Sequence, residues 1–132
     1  MSSVIVSHPT KIVNGIVNLP ASKSLANRLL LIKSVAGFTD VEIHNLSNAR
    51  DTQILQSILN NLNTTDNTID VHDAGTVMRF LTAYVSCLEG EWIITGTERM
   101  QQRPIGALVN VLRNIGADIE YLNHENYPPL KI

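Results

Sequence analysis

At 132 residues and 14.6 kDa the chain has the length of one ordinary domain and can bury a hydrophobic core. A composition that is 44% hydrophobic and 17% charged excludes disordered and fibrous classes, and a net charge of -2 with ten scattered basic residues lacks the footprint of a nucleic-acid or polybasic membrane binder. No apolar run is long enough to span a bilayer, and MSSVIVSHPTK lacks the charged start and apolar stretch of a signal peptide, so the expected address is cytoplasmic and the expected ligands are small anions.

In chain order, Val4-Ile-Val6, Lys11-Ile-Val13 and Ile16-Val17 around Asn14-Gly15 predict a strand pair or bent strand that packs apart from the helices after it. From Ser24 to Ala36, Leu25, Leu29, Ile32 and Ala36 share one helical face, with Gly37 as the stop. Three more helices are predicted: 51–62 with Asp51 as N-cap, 76–88 before Gly90, and 104–115 before Gly116. Cys87, the only cysteine, falls in the third helical pattern and reads as core filler. Strand-prone segments at 41–44, 69–71, 92–95 and 119–122 alternate with these helices, which is the pattern of α/β layering. The polar run 60–67 reads as a surface connection.

An offset of 53 residues pairs Gly37 with Gly90, Arg50 with Arg103, Leu55 with Leu108 and Leu59 with Leu112, so one unit occurs twice. Arg50 and Arg103 thereby take equivalent places, each before a helix whose first turn presents unpaired backbone N–H groups.

Three segments carry chemistry. In Pro20-Ala-Ser-Lys-Ser-Leu-Ala-Asn-Arg28, the residues Lys23, Ser24, Asn27 and Arg28 stand at a helix start with Ser24 and Arg28 one turn apart, which suits phosphate or carboxylate. In Asp73-Ala-Gly-Thr-Val-Met-Arg79, Gly75 lets an anion approach the backbone without a Cβ in the way. In Glu98-Arg-Met-Gln-Gln-Arg-Pro-Ile-Gly106, Arg103 is restricted by Pro104 and can clamp phosphate bidentately. The plain alternatives are Ser24 as an ordinary N-cap with solvated cations, Ala-Gly-Thr as a turn, Arg99 paired with Glu98 on a surface loop, and Arg79 bracing that loop. The four histidines lack metal-ligand spacing, and no nucleotide loop motif occurs, so neither metal nor nucleotide is expected.

Taken in order with Tyr127-Pro-Pro-Leu-Lys131, these segments resemble the 5-enolpyruvylshikimate-3-phosphate (EPSP) synthase family from about Lys11 onward. The resemblance implies an α/β chain of repeated βαβαββ units in the enolpyruvyl transferase fold (inverse γ-β prism). Residues 1–19 would be opening strands that pack with the other domain, residues 20–132 about two repeat units of the substrate-binding domain, and the remainder of the enzyme absent. It implies transfer of enolpyruvyl from phosphoenolpyruvate to the 5-hydroxyl of shikimate 3-phosphate with release of phosphate, on the way to chorismate and the aromatic amino acids, without a cofactor. Carried over by motif, Lys23 is catalytic and touches both substrates, Ser24 and Arg28 hold shikimate 3-phosphate, and Gly75 and Arg103 bind phosphoenolpyruvate. The proton-moving groups lie later in the family's chain, so this chain alone is expected to be inactive. The whole enzyme is expected to be monomeric and the shorter chain prone to self-association. Departures from the usual family pattern are Asp73 for Asn, Ala21 for Gly and Phe80 for Pro. Two rivals are a relative acting on UDP-N-acetylglucosamine, which usually has Lys-Asn where Lys23-Ser24 stands, and a non-catalytic packing module.

Overall fold

The computed structural model describes residues 4, 5, 7, 9, 10, 12, 14–16, 18–62 and 67–132. Two helices, α1 (Lys23–Val35) and α2 (Arg50–Asn61), come first. After them come β1 (Thr68–Asp70), α3 (Gly75–Val85), β2 (Ile93–Thr95), the single turn α4 (Glu98–Gln101), α5 (Gly106–Asn114), β3 (Glu120–Tyr121) and β4 (Leu130–Lys131).

The strands form one sheet in the order β1-β2-β4-β3. The β1–β2 pair is parallel, with Ile69 opposite Ile94, and β4 runs antiparallel to both β2 and β3. Helix α3 is the crossover that a parallel pair requires. From β1 to β4 the chain therefore traces one βαβαββ unit, with α4 as an added turn. The short strands are extended at their margins by Val71 N–H to the Thr95 carbonyl (3.0 Å) and by the reciprocal bonds of Trp92 and Ile132 (2.8 and 2.9 Å).

The core lies between this sheet and the helices, centred on Leu55, Val71, Val77, Leu81, Ile94, Val109 and Leu130, all fully buried. Helix α1 packs on α2 and α3 through Ala26 and Leu30. Between them the buried Asn27 Oδ1 accepts a hydrogen bond from the Thr52 hydroxyl at 2.8 Å, tying α1 to the first turn of α2. On the far side, Arg113 of α5 lies 5.0 Å over the Tyr121 ring. Burial raises the Tyr121 phenol above its ordinary pKa, the Arg113 charge partly opposing it.

Several expectations need correction. The face of α1 carrying Leu25, Leu29, Ile32 and Ala36 is not the buried one: Leu25 and Ile32 are each 58% exposed, and the small residue Ala26 with Leu30 turns inward because α2 and α3 approach from that side. Segment 41–44 is not a strand, and Val41 is exposed; with no neighbouring strand among the described residues to complete its hydrogen bonds, its β propensity has nothing to act on. Asp51 is not the N-cap of α2; Ala49 is, with no side-chain cap. Cys87 is exposed rather than core, because α3 stops at Val85 and the chain turns through Ser86 and Leu88. Helix α4, capped by the Thr97 hydroxyl, and strand β4 were not anticipated. Of the opening segment, Val6, Lys11, Val13 and Val17 lie outside the described residues. The described positions 4, 5, 12, 14–16, 18 and 19 are exposed and in no strand.

Candidate anion-binding site

The loop after β1 carries Asp73 and leads into α3 at Gly75, while the loop after β2 carries Gly96, α4 and Arg103. Both leave the carboxyl ends of a parallel strand pair, the edge at which open α/β sheets gather their ligands. At this edge Arg103 does not serve α5, the next helix in the chain. Its guanidinium lies directly on Gly75, where a Cβ would overlap it. Helix α3 starts without a side-chain cap, its N-cap being Ala74, so its first-turn backbone donors and the guanidinium stand at the same helix end.

Arg79, one turn into α3, fixes this arrangement. Its Nη1 donates to the Gly75 carbonyl at 3.0 Å and its Nη2 to the Pro104 carbonyl at 2.8 Å, so one side chain ties the helix start to the Arg103–Pro104 segment. Arg79 is thus a brace. Arg99 does not pair with Glu98 among the described residues; it lines a cavity of about 430 Å³ together with Asp73, Met100 and Arg103.

At the start of α1, Ser22 rather than Ser24 supplies the cap, accepting from Leu25 N–H at 3.3 Å. That leaves the Ser24 hydroxyl to Arg28, whose Nη1 contacts it and also donates to the Ser24 carbonyl at 2.9 Å. The expected one-turn convergence of Ser24 and Arg28 is present, and both side chains are exposed. Lys23 Nζ meets Asp51 Oδ2 of α2 at 3.1 Å, with the lysine side chain half exposed. Arg50, the first residue of α2, meets Asp73 at 3.3 Å.

Two ion pairs therefore link three helix starts in series, α1 to α2 through Lys23–Asp51 and α2 to the entry of α3 through Arg50–Asp73. Lys23, Ser24 and Arg28 stand at one end of the series, Gly75 and Arg103 at the other. Asp51, Asp73 as an ion-pair partner, and Arg99 as a cavity residue were missed by sequence reasoning. Only Asp73 had a signal, its departure from the usual Asn of the resembling motif. Among the described residues no group of three His, Cys, Asp or Glu side chains is placed to hold a metal ion.

These features define an α/β protein that gathers cations at the starts of three helices. The chain belongs to the EPSP synthase (3-phosphoshikimate 1-carboxyvinyltransferase) family, whose model matches residues 7–69 and 60–132. It is 50% identical over 128 residues to the 3-phosphoshikimate 1-carboxyvinyltransferase of Bacteroides fragilis (strain YCH46), covering 97% of this chain and 30% of that one. With the enzyme of the same name from Vibrio vulnificus (strain YJ016) it shares 41% identity over 150 residues, covering 94% and 34%. Among solved structures, EPSP synthase from Acinetobacter baumannii superimposes with a TM-score of 0.77 at 17% identity, over 89% of this chain and 32% of that one. The chain has part of the EPSP synthase fold, and it spans about a third of the length of the curated relatives it matches.

The Vibrio alignment is longer than this whole chain, and the two family matches overlap across residues 60–69, after α2. After α5 the chain makes the β3–β4 hairpin, whereas after α2 only residues 62–67 lead to β1.

Proposed function

We propose that the complete protein transfers the enolpyruvyl group of phosphoenolpyruvate to the 5-hydroxyl of shikimate 3-phosphate, releasing phosphate, and that this chain supplies one wall of the cleft. The observation that carries the reading is the guanidinium of Arg103 held against Gly75 at the uncapped start of α3, in series with Lys23 at the start of α1.

Two polyanionic substrates repel each other, and cations with fixed backbone donors are what bring them to attack distance. In this reading Gly75 and Arg103 receive phosphoenolpyruvate. Ser24 and Arg28 hold shikimate 3-phosphate: the contact they now make with each other keeps the hydroxyl and the guanidinium together, ready to be shared with phosphate oxygens. Lys23, released from Asp51, reaches both substrates. The reaction takes place in the cytoplasm and needs no cofactor. The groups that move protons come from the remainder of the protein, so this chain by itself does not turn over. Residues 1–19 belong with that remainder, and 20–132 with the substrate-binding domain.

Calorimetric titration of the 132-residue chain with shikimate 3-phosphate tests the assignment. Binding to the wild type that falls by roughly 10-fold or more in Arg28→Ala is the expected result, since a charge-assisted hydrogen bond is worth about 1.5–3 kcal/mol. Equal affinity in the two proteins would remove Arg28 from the site, and preference for UDP-N-acetylglucosamine would move the chain to the sister reaction.

The exposed stripe Leu25, Leu29, Ile32 and Val35 on α1, with Phe38 just past its end, favours an additional role in packing. In the complete protein, which we take to be monomeric, this face is covered by further chain. Alone, the 132-residue chain self-associates through it. Sedimentation velocity is expected to show oligomers that dissociate in Ile32→Glu; a wild type that stays monomeric at high concentration rules this out.

A further inference from the structure

Asp73 places a carboxylate in the same cavity as Arg99 and Arg103. A fixed anion inside an anion pocket competes with the ligand for those guanidinium groups unless something holds it elsewhere. Here something does. Arg50, contributed by α2 from the other copy of the repeat, donates from Nη1 to Asp73 Oδ2 at 3.3 Å. The two side chains are 68% and 53% exposed, so the pair adds little to stability, and a purely structural role leaves it without a purpose.

We propose that Arg50 and Asp73 form a positioning pair that sets the anion affinity of the Arg99–Arg103 cavity. Arg50 draws the Asp73 carboxylate away from Arg103. When Arg50 is absent the carboxylate turns into the cavity and becomes an internal competitor. The pair also makes the ligand's grip depend on how α2 sits against the entry to α3, because one partner rides on each. This inference rests on the reading of the cavity as the phosphoenolpyruvate pocket, and it concerns two residues to which that reading assigns no contact with substrate.

The expected pattern has opposite signs. Removing the carboxylate in Asp73→Asn raises affinity for phosphoenolpyruvate by about 5-fold at low salt, the Coulomb effect of one unit charge several ångströms away in a partly solvated site. Removing its holder in Arg50→Ala lowers affinity by about 5-fold, and the double variant returns to within about twofold of Asp73→Asn alone. Calorimetric titration of the four proteins with phosphoenolpyruvate, repeated with inorganic phosphate and at raised ionic strength, reads this directly, with circular dichroism to verify that all four are folded. Should Arg50→Ala weaken binding by the same factor whether residue 73 is Asp or Asn, Arg50 contacts the ligand itself and the proposal fails. It fails equally if all four proteins bind alike. If the wild type and Asp73→Asn both leave phosphoenolpyruvate unbound, the cavity is not its pocket, and the functional reading falls together with the inference built on it.

Discussion

Gly75→Ala is expected to lower phosphoenolpyruvate affinity by roughly 10- to 100-fold while leaving the fold intact. The added methyl group would overlap the Arg103 guanidinium, which is the far end of a flexible side chain and can swing away. The three atoms nearest the added methyl all belong to that guanidinium, and alanine is a better helix residue than glycine, so α3 itself does not suffer. What is lost is the alignment of guanidinium and first-turn N–H groups on one anion, the contribution that a bidentate arginine makes beyond its charge. Titration of Gly75→Ala beside Arg103→Ala is the informative pair: similar losses identify the displaced guanidinium as the cause. Wild-type affinity in Gly75→Ala would mean that Arg103 does not act from the position it holds here.

The same substitution at Gly96 is expected to do the reverse, destabilising the chain by roughly 1–3 kcal/mol. A Cβ there would stand 2.5 Å from the His72 carbonyl oxygen and 2.9 Å from Met100 Cγ. That carbonyl accepts the Thr97 N–H at 3.0 Å, and His72 has a positive φ of 52°, so the oxygen is held by backbone on both sides and has little room to yield. Thermal unfolding should show a fall in Tm of about 5–15 °C for a chain of this size. A Tm within about 2 °C of the wild type would show that the loop after β2 relaxes freely. The two glycines, each at the carboxyl edge of the parallel pair, thus separate a contact made for ligand from a contact made for packing.

These two sites also show why a set of family motifs converges in space. Arg79 bonds the carbonyls of Gly75 and Pro104, so the motif around Gly75 and the motif around Arg103 are mechanically one object. Lys23–Asp51 and Arg50–Asp73 extend that object to the start of α1, bridging 28 and 23 residues of sequence. Exposed pairs of this kind contribute little to stability, and their value lies in orientation. The series does not depend on the β3–β4 hairpin, because every member of it sits at a helix start and none on β3 or β4.

The sequence by itself determined the four long helices to within a few residues, since Gly37, Pro104 and Gly116 are local punctuation that acts through a few neighbouring bonds. It also determined the family, through ordered motifs whose residue types are dictated by anion chemistry. Tertiary structure alone decided which side of α1 is buried. Both sides carry apolar residues, and the choice fell to the direction from which α2 and α3 approach. It decided that residues 92–95 contain a strand while 41–44 form none, because a strand exists only where a neighbour completes its hydrogen bonds. It decided, too, that Arg103 faces Gly75 and that Asp73 faces Arg50, contacts set by how helices and sheet pack, which no local periodicity encodes.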